Sequence, residues 1–192
     1  RRCMSVEQGK PHSHEAVRRK ITELFAGDER DVRMVRSPYR ICPLGAHIDH
    51  QLGPVTGMAL EHELLLAFMP REVPRVRVRS LNFEGEVRVN LNEPLPPRMG
   101  DWGDYVRGAI YALQREGKLS TGLDALVAGD SRIGGLSSSA SVGCAYLLAL
   151  EAVNGIEADA NTNIELDRII ENEYIGLQNG LLDQSMILLS RQ

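Results

Sequence analysis

The chain has 192 residues, of which 43% are hydrophobic and 25% charged, enough for one sizeable core or for one domain and part of another. A net charge of -4 at pH 7 offers no global basic field for nucleic acid or an anionic membrane surface. No apolar run is long enough to span a bilayer and no signal pattern opens the chain; Cys3, Cys42 and Cys144, without paired or metal-type spacing, suit reduced thiols in a cytoplasmic protein.

Residues 1–12 are polar, carry Gly-Lys-Pro, and are expected to fray. Ser13 is placed to cap a helix running to Ala26, with Val17, Ile21, Leu24 and Phe25 on one face and Gly27 as terminator. Residues 32–35 predict a short strand before Ser37-Pro38. The next stretch, to His50, gathers Arg40, His47, Asp49 and His50 between Pro38, Pro43, Gly45 and Gly53, which predicts a shaped loop rather than a regular element. Its Asp and His side chains suit the hydroxyls of a small polar ligand, and Arg40 suits a phosphoryl oxygen. The plainer alternative is a solvated loop in which Asp49 caps a turn.

Residues 55–60 and 64–69 are two apolar runs of strand length, and 75–79 and 86–90 alternate strictly, as half-exposed strands do. Pro94, Pro96 and Pro97 mark a loop. Asp101 is then expected to cap a helix to Glu116, with Asp104 as its capping-box partner and Trp102, Val106, Ala109, Ile110 and Leu113 as the buried stripe. Residues 123–128 predict a strand feeding the segment Ile133-Gly-Gly-Leu-Ser-Ser-Ser-Ala-Ser141 and a helix over 138–153. Gly134 and Gly135 let the backbone turn and expose N–H groups at the positive end of that helix. Ser137, Ser138 and Ser139 add hydroxyls for phosphate oxygens or hydrated Mg²⁺. No lysine lies between Gly129 and Ile164, so this is not the nucleotide loop ending in Gly-Lys-Ser/Thr; the bland alternative is a loop that only caps a core helix.

Two more helices, 163–175 and 181–190, meet at the turn dipeptide Asn179-Gly180. Asp183 stands in the first turn of the second, where a carboxylate complements the helix dipole and faces whatever occupies the turn. Glu171 is available as a metal-directed carboxylate, although a solvent-facing helical glutamate is the commoner fate. Strands dominate early and helices late, which argues for an α+β fold in layers.

Together these segments resemble the galactokinase branch of the GHMP kinase superfamily, over roughly residues 32–190 and in the family's order. Arg40–His50 looks like the sugar signature Arg-Val-Asn-Leu-Ile-Gly-Glu-His-Thr-Asp-Tyr, and Gly134–Ser141 like the phosphate loop Gly-Gly-Leu-Ser-Ser-Ser-Ala-Ser. Glu171–Gln184 resembles the segment ending in Gly-Ile-Met-Asp-Gln, and Trp102–Gly108 is similar to Trp-Ala-Asn-Tyr-Val-Lys-Gly. The resemblance implies the left-handed βαβ N-terminal domain of that superfamily (ribosomal protein S5 domain 2-like). Residues 1–30 would form a tail and helix, residues 31–192 the sugar- and ATP-binding domain, and a C-terminal domain would be missing from this chain. It further implies Arg40 as the active-site cation and Asp183 beside the anomeric hydroxyl. His47 and Asp49 would bind sugar hydroxyls, and Gly180 would present backbone to the sugar. Gly134, Gly135, Ser137 and Ser138 would hold phosphates, Ser139 and Glu171 would serve Mg²⁺, and Trp102 would flank the adenine of ATP, with core packing as the equally good reading of that tryptophan.

Ala46 departs from the pattern, standing where the family has the glutamate that reaches the sugar's C6 hydroxyl. A hexuronic acid carries a carboxylate at C6, which a glutamate would repel by several kcal/mol in a partly dry site, on the order expected for like charges in contact. The substrate this departure points to is a hexuronic acid, and the resemblance of the overall run Pro38–Gln51 implies galacturonate first, phosphorylated by ATP at its anomeric hydroxyl. Galactose, arabinose or glucuronate are the alternatives, as is a catalytically silent sugar and ATP sensor. Ile133, in place of a glycine, stiffens the phosphate loop.

Overall fold

The computed structural model describes residues 12–45, 48–51, 53–117, 119–129 and 136–190. One mixed sheet runs in the order β1-β2-β5-β3-β4, made of β1 (Arg33–Leu44), β2 (Thr56–Arg71), β3 (Arg75–Ser80), β4 (Glu86–Asn90) and β5 (Gly122–Ala128). Neighbours are antiparallel except β3 and β5, which pair in parallel from Val76↔Leu123 to Ser80↔Val127. A parallel pair needs a crossover, and it is supplied through β4 and helix α2 (Asp104–Glu116).

The expected loop from Ser37 is instead the distal half of β1, and the two apolar runs at 55–69 belong to one 16-residue strand, β2. Proline is tolerated here because β1 is an edge strand, and the β1–β2 register slips between Pro38 and Arg40 and again between Ile41 and Leu44. Those irregularities bend the edge where Arg40 sits. After β1 the chain makes a short turn at Asp49–Gln51.

Period-two alternation in β2 and β5 divides the core. Leu64, Leu66, Phe68, Leu123, Ala125 and Val127 pack toward α2 and α3 (Ser138–Asn154), while Leu65, Ala67, Met69 and Leu126 meet Val17, Ile21 and Phe25 of α1 (His14–Phe25). Ser13 caps α1 as expected, its hydroxyl accepting from Ala16 N, but the left-handed C-cap is Ala26 rather than Gly27. Helix α2 begins at Asp104, not at Asp101, whose carboxylate takes Gly103 N and Arg107 instead, while Asp104 accepts from Met99 N and Gly100 N. The helix expected over 163–175 is α4 (Ala160–Ile169) continued by one π-helical turn, Ile170–Tyr174, and α5 spans Leu182–Leu189. On β5, buried Asp124 accepts from Arg71 at 2.5 Å and Arg77 at 2.6 Å, tying three strands together. No helix among the described residues is long and apolar enough to cross a membrane.

Candidate active site

Three elements far apart in sequence converge at one end of the sheet: the bent edge of β1, the start of α3 and the first turn of α5. Two bonds fasten the serine segment to β1, Arg40 N donating to Leu136 O at 3.3 Å and Ser141 Oγ to Pro38 O at 2.7 Å. Arg40 Nε then donates to Asp183 Oδ1 at 2.6 Å, and the Ser137 hydroxyl donates to Asp183 Oδ2. The Arg40 and Asp183 side chains are 14% and 20% exposed, shielded enough for the pair to matter and open enough for a ligand to reach it. Asp183 in the first helical turn also faces the positive end of the α5 dipole.

Gly180, just before α5, lies against the Asp49 turn. A Cβ there would come within 2.6 Å of Asp49 Cγ and 2.7 Å of its carbonyl carbon, so the position is glycine for want of space. Asp49 Oδ1 accepts its neighbour's backbone N–H, His50 N, at 2.8 Å. Asp49 and Gly180 are thus in contact with each other, beside Asp183.

Glu171 is fully buried in the π-helical turn rather than facing solvent. Asn179 Nδ2 holds its Oε2 at 2.9 Å, and Asn179 is itself clamped by reciprocal backbone bonds with the Asn172 side chain, both at 3.0 Å. Oε1 has no hydrogen-bond partner. Burial pushes the Glu171 carboxyl above its ordinary range, opposed by hydrogen bonds from Asn179 and Ser139. One helical turn earlier, Asp167 is also fully buried, with neither oxygen hydrogen-bonded. Burial first, then the charges of Glu171 and Asp183, hold its carboxyl well above the usual range. Sequence reasoning missed Asp167, although the signal was available. Asn163, Asp167 and Glu171 recur every fourth residue, one polar line on a helix face, and all three are buried.

On the other side of the α3 start, Ser138, Ser139, Tyr39, Tyr105, Tyr146 and Trp102 line a cavity of about 630 Å³. Trp102 stacks on Phe83 with ring centroids 6.3 Å apart, and its Nε1 donates to Glu84 O at 3.2 Å. The three serines therefore split: Ser137 turns to Asp183 while Ser138 and Ser139 open on the aromatic cavity. Ala46, His47, Gly134 and Gly135 lie outside the described residues.

Residues 104–191 match the GHMP kinases N terminal domain family. The chain carries a GHMP kinase N-terminal domain. It is 45% identical to galacturonokinase of Arabidopsis thaliana, covering 91% of this chain and 46% of the relative. Against a galactokinase of Thermococcus kodakarensis the identity is 34%, over 82% of this chain and 44% of the relative. The crystal structure of Lactococcus lactis galactokinase complexed with galactose superposes with a TM-score of 0.84 at 30% identity, covering 90% of this chain and 45% of that one. The chain thus spans about half the length of the relatives it matches, and its mixed α+β sheet is that of the galactokinase-type GHMP domain.

Within this domain, Glu171 Oε1 is a buried oxygen without a hydrogen-bond partner that could face a divalent cation, on a carboxylate whose charged form Ser139 favours. Among the described residues no three His, Cys, Asp or Glu side chains are grouped to hold a metal by themselves. That donor set fits Mg²⁺, which keeps several waters and binds through one or two carboxylates plus substrate phosphates.

Proposed function

We propose that the full-length protein is a sugar-1-kinase of the galactokinase branch that transfers the γ-phosphoryl group of ATP to the anomeric hydroxyl of D-galacturonate. The observation that carries this reading is the Arg40–Asp183 pair at 2.6 Å, adjoining a serine segment whose next two residues face an aromatic cavity. A carboxylate base and a cation beside a phosphate-binding segment are the parts that phosphoryl transfer needs.

In this mechanism Asp183 accepts, or at minimum orients, the hydroxyl proton. Arg40 balances charge on the phosphoryl group as it moves. Asp49 and His47 hydrogen-bond sugar hydroxyls, and Gly180 leaves room for the Asp49 turn that packs against it. Ser138, with Gly134 and Gly135, holds phosphate oxygens, and Trp102 walls the adenine. Mg²⁺, held by Glu171 and Ser139 together with water and phosphates, would supply charge neutralisation between the phosphates. Residues 31–192 serve as the sugar- and ATP-binding domain, and Cys42 and Cys144, both free thiols, suit the cytoplasm.

The choice of galacturonate rests on Ala46 and is supported by the 45% identity to a galacturonokinase. Removing a glutamate relieves repulsion at C6 and opens room for the extra oxygen. The test is turnover on a panel of galacturonate, glucuronate, galactose and arabinose, with ³¹P NMR to locate the phosphate. Galacturonate is expected to lead, phosphorylated at the anomeric oxygen, and Ala46→Glu to depress galacturonate use more than galactose use. Equal or better turnover of galactose by the wild type would defeat the substrate assignment.

A further inference from the structure

We propose that Ser137 is a positioning residue for Asp183 rather than a ligand of phosphate, an inference that rests on the kinase reading above. Three observations carry it. First, Ser137 has φ 57 and ψ 46, and it shares positive φ with only one other non-glycine residue among those described, Ala26. The left-handed region is unfavourable for a side chain with a Cβ and persists only where surrounding structure imposes it. Second, Ser137 occupies the N-cap of α3 without making a side-chain cap bond. A serine there normally accepts from a backbone N–H of the first turn. Third, the hydroxyl instead donates to Asp183 Oδ2, while Arg40 takes Oδ1.

The anchors on either side of Ser137 explain how the conformation is held. Leu136 O receives Arg40 N and Ser141 Oγ reaches Pro38 O, so the segment is bound to β1 both before and after Ser137. With the backbone pinned, the hydroxyl turns to Asp183 on α5, while the next two serines line the aromatic cavity. The consequence for Asp183 is geometric. A single contact from Arg40 Nε leaves the carboxylate free to rotate about its last torsion, whereas donors on both oxygens fix its plane. A carboxylate has about four lone-pair directions, so two donors still leave it able to accept a substrate hydroxyl in a defined direction. Ser137 acts through that carboxylate and does not itself touch the reacting atoms.

The experiment uses the full-length gene product, with Ser137→Ala, Ser137→Gly, Asp183→Asn and the double variant Ser137→Ala/Asp183→Asn. The wild type on the sugar panel decides the kinase reading by itself: no phosphorylation of any sugar would overturn that reading and this inference with it. With an active wild type, Ser137→Ala is expected to lower kcat by at least about tenfold, the scale of a misplaced catalytic group, with KM for ATP nearly unchanged. Ser137→Gly, which relieves the left-handed strain that alanine would keep, is expected to fold and to lose as much kcat. The double variant should be no slower than Asp183→Asn alone, because the serine has nothing left to position. A raised KM for ATP at wild-type kcat would make Ser137 a phosphate ligand, recovery of kcat in Ser137→Gly would reduce its role to backbone shape, and losses that multiply in the double variant would uncouple it from Asp183; each of these overturns the inference.

Discussion

Adding one methyl group at Gly180 sets the Asp49 turn against the first turn of α5. The new Cβ would lie 2.6 Å from Asp49 Cγ and 2.7 Å from its carbonyl carbon, where ordinary contact begins at 3.4 Å. Because one of the clashing atoms is backbone, a rotamer change of Asp49 cannot relieve it. The turn must move by under ~1 Å, away from residue 180. Overpacking of this kind costs about 1–3 kcal/mol, which for a domain of this size lowers Tm by roughly 2–12 °C. If Asp49 binds the sugar as proposed, its displacement by ~1 Å costs catalysis on the order of 10²-fold. Gly180→Ala is therefore expected to lower kcat/KM for the sugar by about 10- to 100-fold and to weaken sugar binding by calorimetry, while nucleotide binding changes little. Wild-type kcat/KM together with a wild-type Tm would refute the argument that space alone requires glycine here.

Three further substitutions probe the buried charges. Asp183→Asn should nearly abolish turnover while sugar binding stays detectable by calorimetry; retention of more than about a tenth of the rate would count against a base, since such catalysis supplies ~10²-fold or more. Asp167 is held protonated more tightly in the folded state than in the unfolded chain, so its share of stability is complete below the unfolded value of about 3.9 and is lost as pH rises through the raised folded value. Asp167→Asn, neutral throughout, should match the wild type in urea midpoint near pH 4 and exceed it toward neutrality, and a difference independent of pH would contradict this. Asp124→Ala leaves Arg71 and Arg77 without their shared carboxylate; with those arginines 32% and 25% exposed, the low end of the range for a broken buried pair applies, about 3 kcal/mol by urea unfolding, and a loss below ~1 kcal/mol would show the triad to be dispensable.

The elements with strong periodicity were legible in the chain itself. Strict alternation marked β3 and β4, and Val106, Ala109, Ile110 and Leu113 of the α2 stripe are buried as their spacing requires, while Trp102, expected in the same stripe, precedes the helix and is only partly buried. The β1 edge was not legible, because Pro38 and Pro43 read as loop signals unless the strand is known to lie at the margin of the sheet, a fact that only pairing supplies. The break of the fourth helix into a π-helical turn at Ile170 was equally hidden, since nothing local distinguishes it from a continuous helix. Among the site residues, Arg40 and Asp183 stood out by residue type and by resemblance, and the structure brings them together across 143 positions of sequence. The recurrence of Asn163, Asp167 and Glu171 at every fourth position marks one helix face, but the pattern alone does not say that α3 packs against it; that packing is what buries Asp167. The role of Ser137 was obscured for a different reason: three consecutive serines look alike until backbone dihedrals assign each a direction.

The most direct measurement is a crystal structure of the full-length protein with galacturonate and a non-hydrolysable ATP analogue. The expected result is the anomeric oxygen within hydrogen-bonding distance of Asp183, about 2.6–3.2 Å, with the γ-phosphate near Arg40 and the C6 carboxylate toward residue 46. A sugar bound with its anomeric oxygen remote from Asp183, or with C6 turned toward that aspartate, would contradict the assignment.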